Sequence, residues 1–138
     1  MRKVCVVTGY RSDYTKLKSV IGVIKTKANL ELQILVFGPH LLSDYGSSVN
    51  DIESDGHEIS YRCTTNVDGD DPLTMSKTIG LAIVELSAAY RHLNPDMVLL
   101  VGDRYEILAA TIAASIGNIP VAHIQGGEVS GTIDETIR

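Results

Sequence analysis

Short apolar runs alternate along this chain with longer segments in which apolar residues recur every three or four positions. The first pattern predicts buried strands and the second amphipathic helices. Strands are expected at residues 3–8, 30–37, 56–61, 96–101 and 119–123. Helices are expected at 14–27, where Leu17, Val20, Ile21 and Ile24 share a face, and at 45–54. Two more are expected at 72–93, with Ile79, Ile83, Leu86 and Tyr90 on one face, and at 104–117. The punctuation agrees. Gly38-Pro39-His40 breaks the second strand, and the polar stretch 64–71 reads as a loop. Pro72 suits a first helical position, and Asn94-Pro95 stops the long helix.

Strands joined by helical crossovers imply an α/β fold, a parallel sheet covered on both faces. Right-handed crossovers favour the strand order 3-2-1-4-5. Strands one and four are then neighbours whose connections leave in opposite directions, and ligands bind outside the carboxyl ends of such a pair. Thr8-Gly9-Tyr10-Arg11-Ser12-Asp13 follows strand one, Gly102-Asp103-Arg104 follows strand four, and His123-Ile124-Gln125-Gly126-Gly127-Glu128 closes strand five. These residue types suit a phosphorylated sugar. Arg11, at the start of the first helix, offers a phosphate a guanidinium and a helix N-terminus together. The plainer reading pairs it with Asp13 at the surface. Asp103 is also a good N-cap for the fourth helix. Arg104 in that helix's first turn opposes the dipole, a misfit that a bound anion would explain. Glu106 reads as a favourable first-turn charge. His123 and the carboxylates Glu128 and Asp134 suit proton abstraction and return, against a bland reading as a solvated glycine loop. His40 is placed to reach the crevice, whereas His57 and His92 read as surface residues.

Composition narrows the field. The chain has 138 residues, enough for one domain, and its net charge of −5 comes without any long basic tract, so nucleic-acid binding is not expected. Cys5 reads as a buried small hydrophobe, Cys63 lies in a polar stretch, and no ligand spacing for a metal appears. No GxGxxG or Walker A motif supports a dinucleotide or P-loop reading. The N-terminal apolar run is too short for a signal peptide, and the uncharged stretch 107–127 divides into helix plus strand at Gly117, Asn118 and Pro120. A cytoplasmic protein without a membrane span is expected. The sequence Thr132-Ile133-Asp134-Glu135 fits a capping box about one turn before Arg138. The chain therefore reads as the N-terminal part of something longer.

Four segments carry a family resemblance: Thr8-Gly-Tyr-Arg-Ser-Asp-Tyr14, Gly38-Pro-His-Leu41 with Tyr45-Gly46, Pro95-Asp-Met-Val-Leu-Leu-Val-Gly-Asp-Arg104, and the run from His123 to Arg138. Together they resemble the hydrolysing UDP-N-acetylglucosamine 2-epimerases of sialic acid biosynthesis, and also relatives acting on UDP-diacetamido-trideoxyhexoses. The resemblance implies two Rossmann-like domains in the GT-B arrangement, with residues 1–138 as the first and the C-terminal domain absent from this chain. It implies elimination of UDP across C1–C2, hydration of the glycal, no cofactor, and a homo-oligomer in the full-length form. By motif, Asp103 and Asp134 match acidic residues of the proton chemistry. Arg11, Thr15 and Arg104 match contacts to the nucleotide diphosphate, and His123 matches an active-site histidine. Gln125 stands where several relatives carry a catalytic glutamate. Either Glu128 supplies that carboxylate, or Gln125 positions substrate while Asp103 and Asp134 suffice. A GT-B glycosyltransferase domain and an inactive stand-alone fragment remain the other readings.

Overall fold

In the computed structural model, residues 1–127, 129 and 131 are described. Nine regular elements alternate: β1 (Arg2–Thr8), α1 (Arg11–Lys25), β2 (Leu30–Phe37), α2 (Val49–Ser54), β3 (Tyr61–Cys63), α3 (Pro72–Leu93), β4 (Met97–Val101), α4 (Tyr105–Ile116) and β5 (Val121–Ile124), with 3-10 turns at Gly38–Leu41 and Ser43–Tyr45. The strands form one sheet of order β3-β2-β1-β4-β5, and every pairing is parallel. This is the α/β topology expected from the pattern and the handedness rule.

The period-2 alternation of the strands sends neighbouring residues into two separate cores. Cys5 and Val7, Leu35 and Phe37, and Val98 and Leu100 face α3 and α4, meeting Leu86, Ala89, Ile107 and Ala110. Val4 and Val6, Ile34 and Val36, and Leu99 and Val101 face α1 and α2, meeting Tyr14, Leu17, Ile21 and Ile52. α3 is the most strongly delimited helix. Asp71 caps it by accepting from the Leu73 and Thr74 amides, Pro72 occupies its first turn, and Asn94 closes it at φ 47°.

Four sequence expectations change. The third strand lies at 61–63 rather than 56–61. α2 ends in a turn at Gly56 (φ 76°), so residues 57–60 must return to the sheet before pairing can begin, with the Ser60 amide on Ile34 O at 2.8 Å. Cys63 is thereby a buried strand residue, opposite Phe37, not part of a polar loop. The 45–54 helix divides at Gly46 and Ser47, both at positive φ, leaving six residues as α2. α1 begins at Arg11, three residues earlier than expected, so Asp13 and Tyr14 are buried in its first turn. The uncharged 107–127 stretch does divide into α4 and β5, and among the described residues no helix is long and apolar enough to cross a membrane.

Candidate functional site

The carboxyl ends of β1, β4 and β5 and the N-termini of α1 and α4 meet at one edge of the sheet. There Gly102 takes φ 90°, a conformation open to glycine but strained for other residues, and turns the chain sharply out of β4. Asp103 follows, half-buried, and Arg104 is the N-cap residue of α4. Asp103 is therefore not the cap, and Arg104 is not within the first helical turn. The misfit read from the sequence has a local remedy. The Arg104 guanidinium donates to both oxygens of Glu106, Nε to Oε2 at 3.1 Å and Nη2 to Oε1 at 3.3 Å. It also lies 4.4 Å from the centre of the Tyr10 ring, within cation–π range. Burial, the largest single influence, opposes the arginine's charge, but Glu106 together with Tyr105 and Tyr10 more than offsets it and holds the group protonated.

Glu106 is the first-turn acid of α4, as expected, but it is 2% exposed. A second carboxylate, Asp13, is 3% exposed and lies 3.5 Å from where a Cβ on Gly102 would stand. Burial chiefly, then the charge of Glu106, pushes the Asp13 pKa up to about 6 against the pull of Arg104, Lys16 and the Gly9 amide. The floor of the crevice thus holds two carboxylates under one guanidinium. The sequence offered little hint of this, because burial of a first-turn acid depends on what packs over it.

His123 stands on β5, with Nε2 2.5 Å from Gly102 O. An acceptor carbonyl requires Nε2 to carry the proton, so Nδ1 of the neutral ring is the acceptor. A Cβ on Gly126 would lie 2.5 Å from that Nδ1, so the ring rests against the glycine backbone. His123 therefore ties the β4 turn to the loop after β5. Gln125, at φ 61°, accepts a 2.7 Å hydrogen bond from Lys16 Nζ. Lys16 went unnoticed in the sequence. It is the cation that α1 delivers to the β5 motif, five residues after Arg11, whereas Arg11 itself points elsewhere.

Arg11 is the first residue of α1, and its side chain is 74% exposed. It pairs with Asp51 of α2 at 3.6 Å rather than with Asp13. Thr15 is also exposed and donates to Arg11 O at 3.1 Å. Tyr10 links the two arginines, as chain neighbour of Arg11 and stacking platform for Arg104. His40 is wholly buried with both ring nitrogens bonded, which denies it contact with a ligand. His92 is exposed as expected, but His57 is half-buried. Glu128 and Asp134 lie outside the described residues.

A polar cavity of about 220 Å³ opens beside Arg104 and Tyr105, bounded by Tyr45, Asn66 and Asp68. A larger, mainly aliphatic cavity of about 590 Å³ lies at the opposite edge, beside Val4, Met97 and Leu99. The chemistry-bearing side chains are at the first edge, as the switch-point rule requires. Among the described residues no cluster of three or more His, Cys, Asp or Glu is placed to hold a metal ion.

Comparison with known proteins gives the geometry a context. A family model described as UDP-N-acetylglucosamine 2-epimerase matches residues 23–138. The chain is 40% identical to the UDP-N,N'-diacetylbacillosamine 2-epimerase (hydrolyzing) of Legionella pneumophila, over all of this chain and 37% of that protein. It is 33% identical to the UDP-N-acetylglucosamine 2-epimerase of Neisseria meningitidis, over all of this chain and 36% of that protein. The solved Neisseria meningitidis UDP-GlcNAc 2-epimerase bound to UDP-GlcNAc superposes with a TM-score of 0.80 at 23% identity, over 99% of this chain and 37% of that one. The Methanocaldococcus jannaschii UDP-GlcNAc 2-epimerase gives 0.81 at 21%, over 99% and 35%. These superpositions establish the shared fold. The chain spans just over a third of the length of these curated relatives.

Proposed function

Because this chain belongs to the UDP-N-acetylglucosamine 2-epimerase family, we propose that the full-length protein is a hydrolysing UDP-sugar 2-epimerase. Residues 1–138 supply the N-terminal wall of its cleft, and a second domain of GT-B type supplies the other. The observation that carries this reading is the joining of two motifs at the switch crevice. His123 holds the Gly102-Asp103-Arg104 turn from β5, and Lys16 reaches Gln125 from α1.

The chemistry follows from that arrangement. A base removes the C2 proton, the C1–O bond breaks, and UDP departs, leaving a C1–C2 double bond. Water then adds across it, with hydroxyl at C1 and a proton delivered to C2 on the opposite face. The products are UDP and the free 2-epimer, N-acetylmannosamine when the substrate is UDP-N-acetylglucosamine. Departing diphosphate needs cations aimed at it. Arg104, fixed by Glu106 and Tyr10, is one, and Lys16 in the second turn of α1 is another; Arg11, at the start of α1 with Thr15 beside it, joins them by exchanging its exposed pairing with Asp51 for phosphate. Asp103 stands next to Arg104 for proton transfer. Asp134 and Glu128 are its partners in this reading, His123 and Gln125 position the loops, and no cofactor is required. The protein works in the cytoplasm, as a homo-oligomer, in the making of sialic-acid-type sugars.

A second reading of the substrate, a UDP-diacetamido-trideoxyhexose, is favoured by the 40% identity to the Legionella enzyme against 33% to the Neisseria one. Incubating the full-length protein with each UDP-sugar, and following released UDP together with the free sugar by proton NMR, tests both. Transfer of sugar to an acceptor, or no UDP release from either substrate, would overturn the epimerase reading. The 138-residue chain by itself is expected to release no UDP, because one wall cannot exclude water or orient the sugar.

A further inference from the structure

His40 is a buried histidine that the catalytic scheme leaves without a task. It lies in the 3-10 turn after β2, has no exposed surface, and uses both ring nitrogens. Nε2 is 2.8 Å from Thr8 Oγ1, and Nδ1 is 2.8 Å from Ser48 Oγ. Thr8 Oγ1 is also 3.4 Å from Tyr10 O. The Thr8–Tyr10 contact assigns the protons of the two imidazole contacts. A carbonyl only accepts, so the single Thr8 hydroxyl proton goes to Tyr10 O. The Thr8 oxygen then accepts from His40, which places the imidazole proton on Nε2. Nδ1 is left as an acceptor, and Ser48 donates to it. The chain runs one way, from Ser48 through His40 and Thr8 to the Tyr10 carbonyl.

The ends of this chain matter. Ser48 immediately precedes α2, the helix whose Asp51 pairs with Arg11. Tyr10 is the N-cap residue of α1, and its side chain makes no capping hydrogen bond there. Its ring carries the Arg104 guanidinium and meets Tyr45 edge-on at 6.4 Å. A buried donor pinning the Tyr10 backbone therefore places the platform for one arginine and the attachment point of the other.

We propose that His40 is a positioning residue for the nucleotide-diphosphate site, acting as an Nε2-protonated relay that holds the Tyr10 turn and, through it, Arg11 and Arg104. This rests on the reading of those arginines as diphosphate ligands. The groups facing the ring support a single protonation state. Burial, the largest influence, pulls its pKa down to about 4, against the Tyr10 carbonyl and Asp51, which favour the charged form.

Two measurements on the full-length protein test the proposal. Ring-nitrogen NMR of histidine-labelled protein should show His40 protonated on Nε2 and not on Nδ1. That signature should stay unchanged from about pH 5.5 to about pH 8 and on saturation with UDP. An Nδ1-protonated ring, titration within that range, or ring shifts showing direct contact with UDP would overturn the relay. In calorimetry and steady-state kinetics, His40→Phe should raise the Kd for UDP and the KM by about tenfold and lower kcat less, the scale of a lost buried hydrogen bond. His40→Gln, which keeps a donor and an acceptor, should recover most of that loss, and Ser48→Ala should cost about threefold. Wild-type affinity in His40→Phe, or no recovery in folded His40→Gln, would overturn the positioning role. A wild-type protein that binds no UDP would instead overturn the functional reading, while the NMR signature still judges the relay.

Discussion

Replacing Asp13 with asparagine should stabilise the folded protein at neutral and alkaline pH. Asp13 is 3% exposed beside Glu106, and its pKa stands at about 6 against an ordinary 3.8. Below about pH 3.8 the carboxyl is protonated in both folded and unfolded chains and costs nothing. As pH rises toward about 6, the unfolded chain ionises first while the folded chain keeps its proton, so stability drains away. Above about 6 the loss is complete and constant. A displacement of about two pH units at about 1.4 kcal/mol each gives a penalty of about 3 kcal/mol, and the depth of burial leaves little solvent screening to reduce it. Asparagine retains the volume and an acceptor for the Gly9 amide, and it carries no charge. Urea unfolding of wild type and Asp13→Asn, followed by far-UV circular dichroism, measures the difference. It should grow from near zero at about pH 4 to about 3 kcal/mol in favour of the variant at about pH 8. A difference that is flat with pH, or a less stable variant at about pH 8, would refute the account of a carboxylate held beneath the crevice at an electrostatic cost.

Further outcomes follow from the same geometry. Glu106→Gln should remove the charge that pairs Arg104, costing about 1–2 kcal/mol after allowance for the arginine's partial exposure, and should weaken UDP binding measured by calorimetry. Gly126→Ala should push the His123 ring off Gly102 O, because its Cβ would stand 2.5 Å from Nδ1. Turnover of the full-length protein should fall by about tenfold or more with circular dichroism unchanged, and a fully active variant would show that the contact is dispensable. In the full-length protein, Asp103→Asn should keep the melting temperature nearly unchanged while lowering UDP release by about a hundredfold or more, the scale of a lost general acid or base. Arg104→Ala should weaken UDP binding by about 1.5–3 kcal/mol, and unchanged affinity would remove it from the diphosphate site.

What the sequence by itself determined is what local rules control. Period-2 and period-3.6 patterns marked nearly every element, and the handedness of crossovers set the strand order 3-2-1-4-5. The crevice followed from that order, since topology alone brings the turns after β1 and β4 together. The third strand was misplaced because the turn at Gly56 and the register against β2, not the residues' own propensities, decide where pairing begins. Side-chain partnership was the part only tertiary structure decided. Lys16 meets Gln125 across 109 positions, and His40 meets Thr8 across 32. Glu106 and Asp13 became buried acids through what packs over them. A charge near a helix start looks the same in sequence whether water or another carboxylate faces it. Its energetics follow from the desolvation and neighbouring charges that folding imposes.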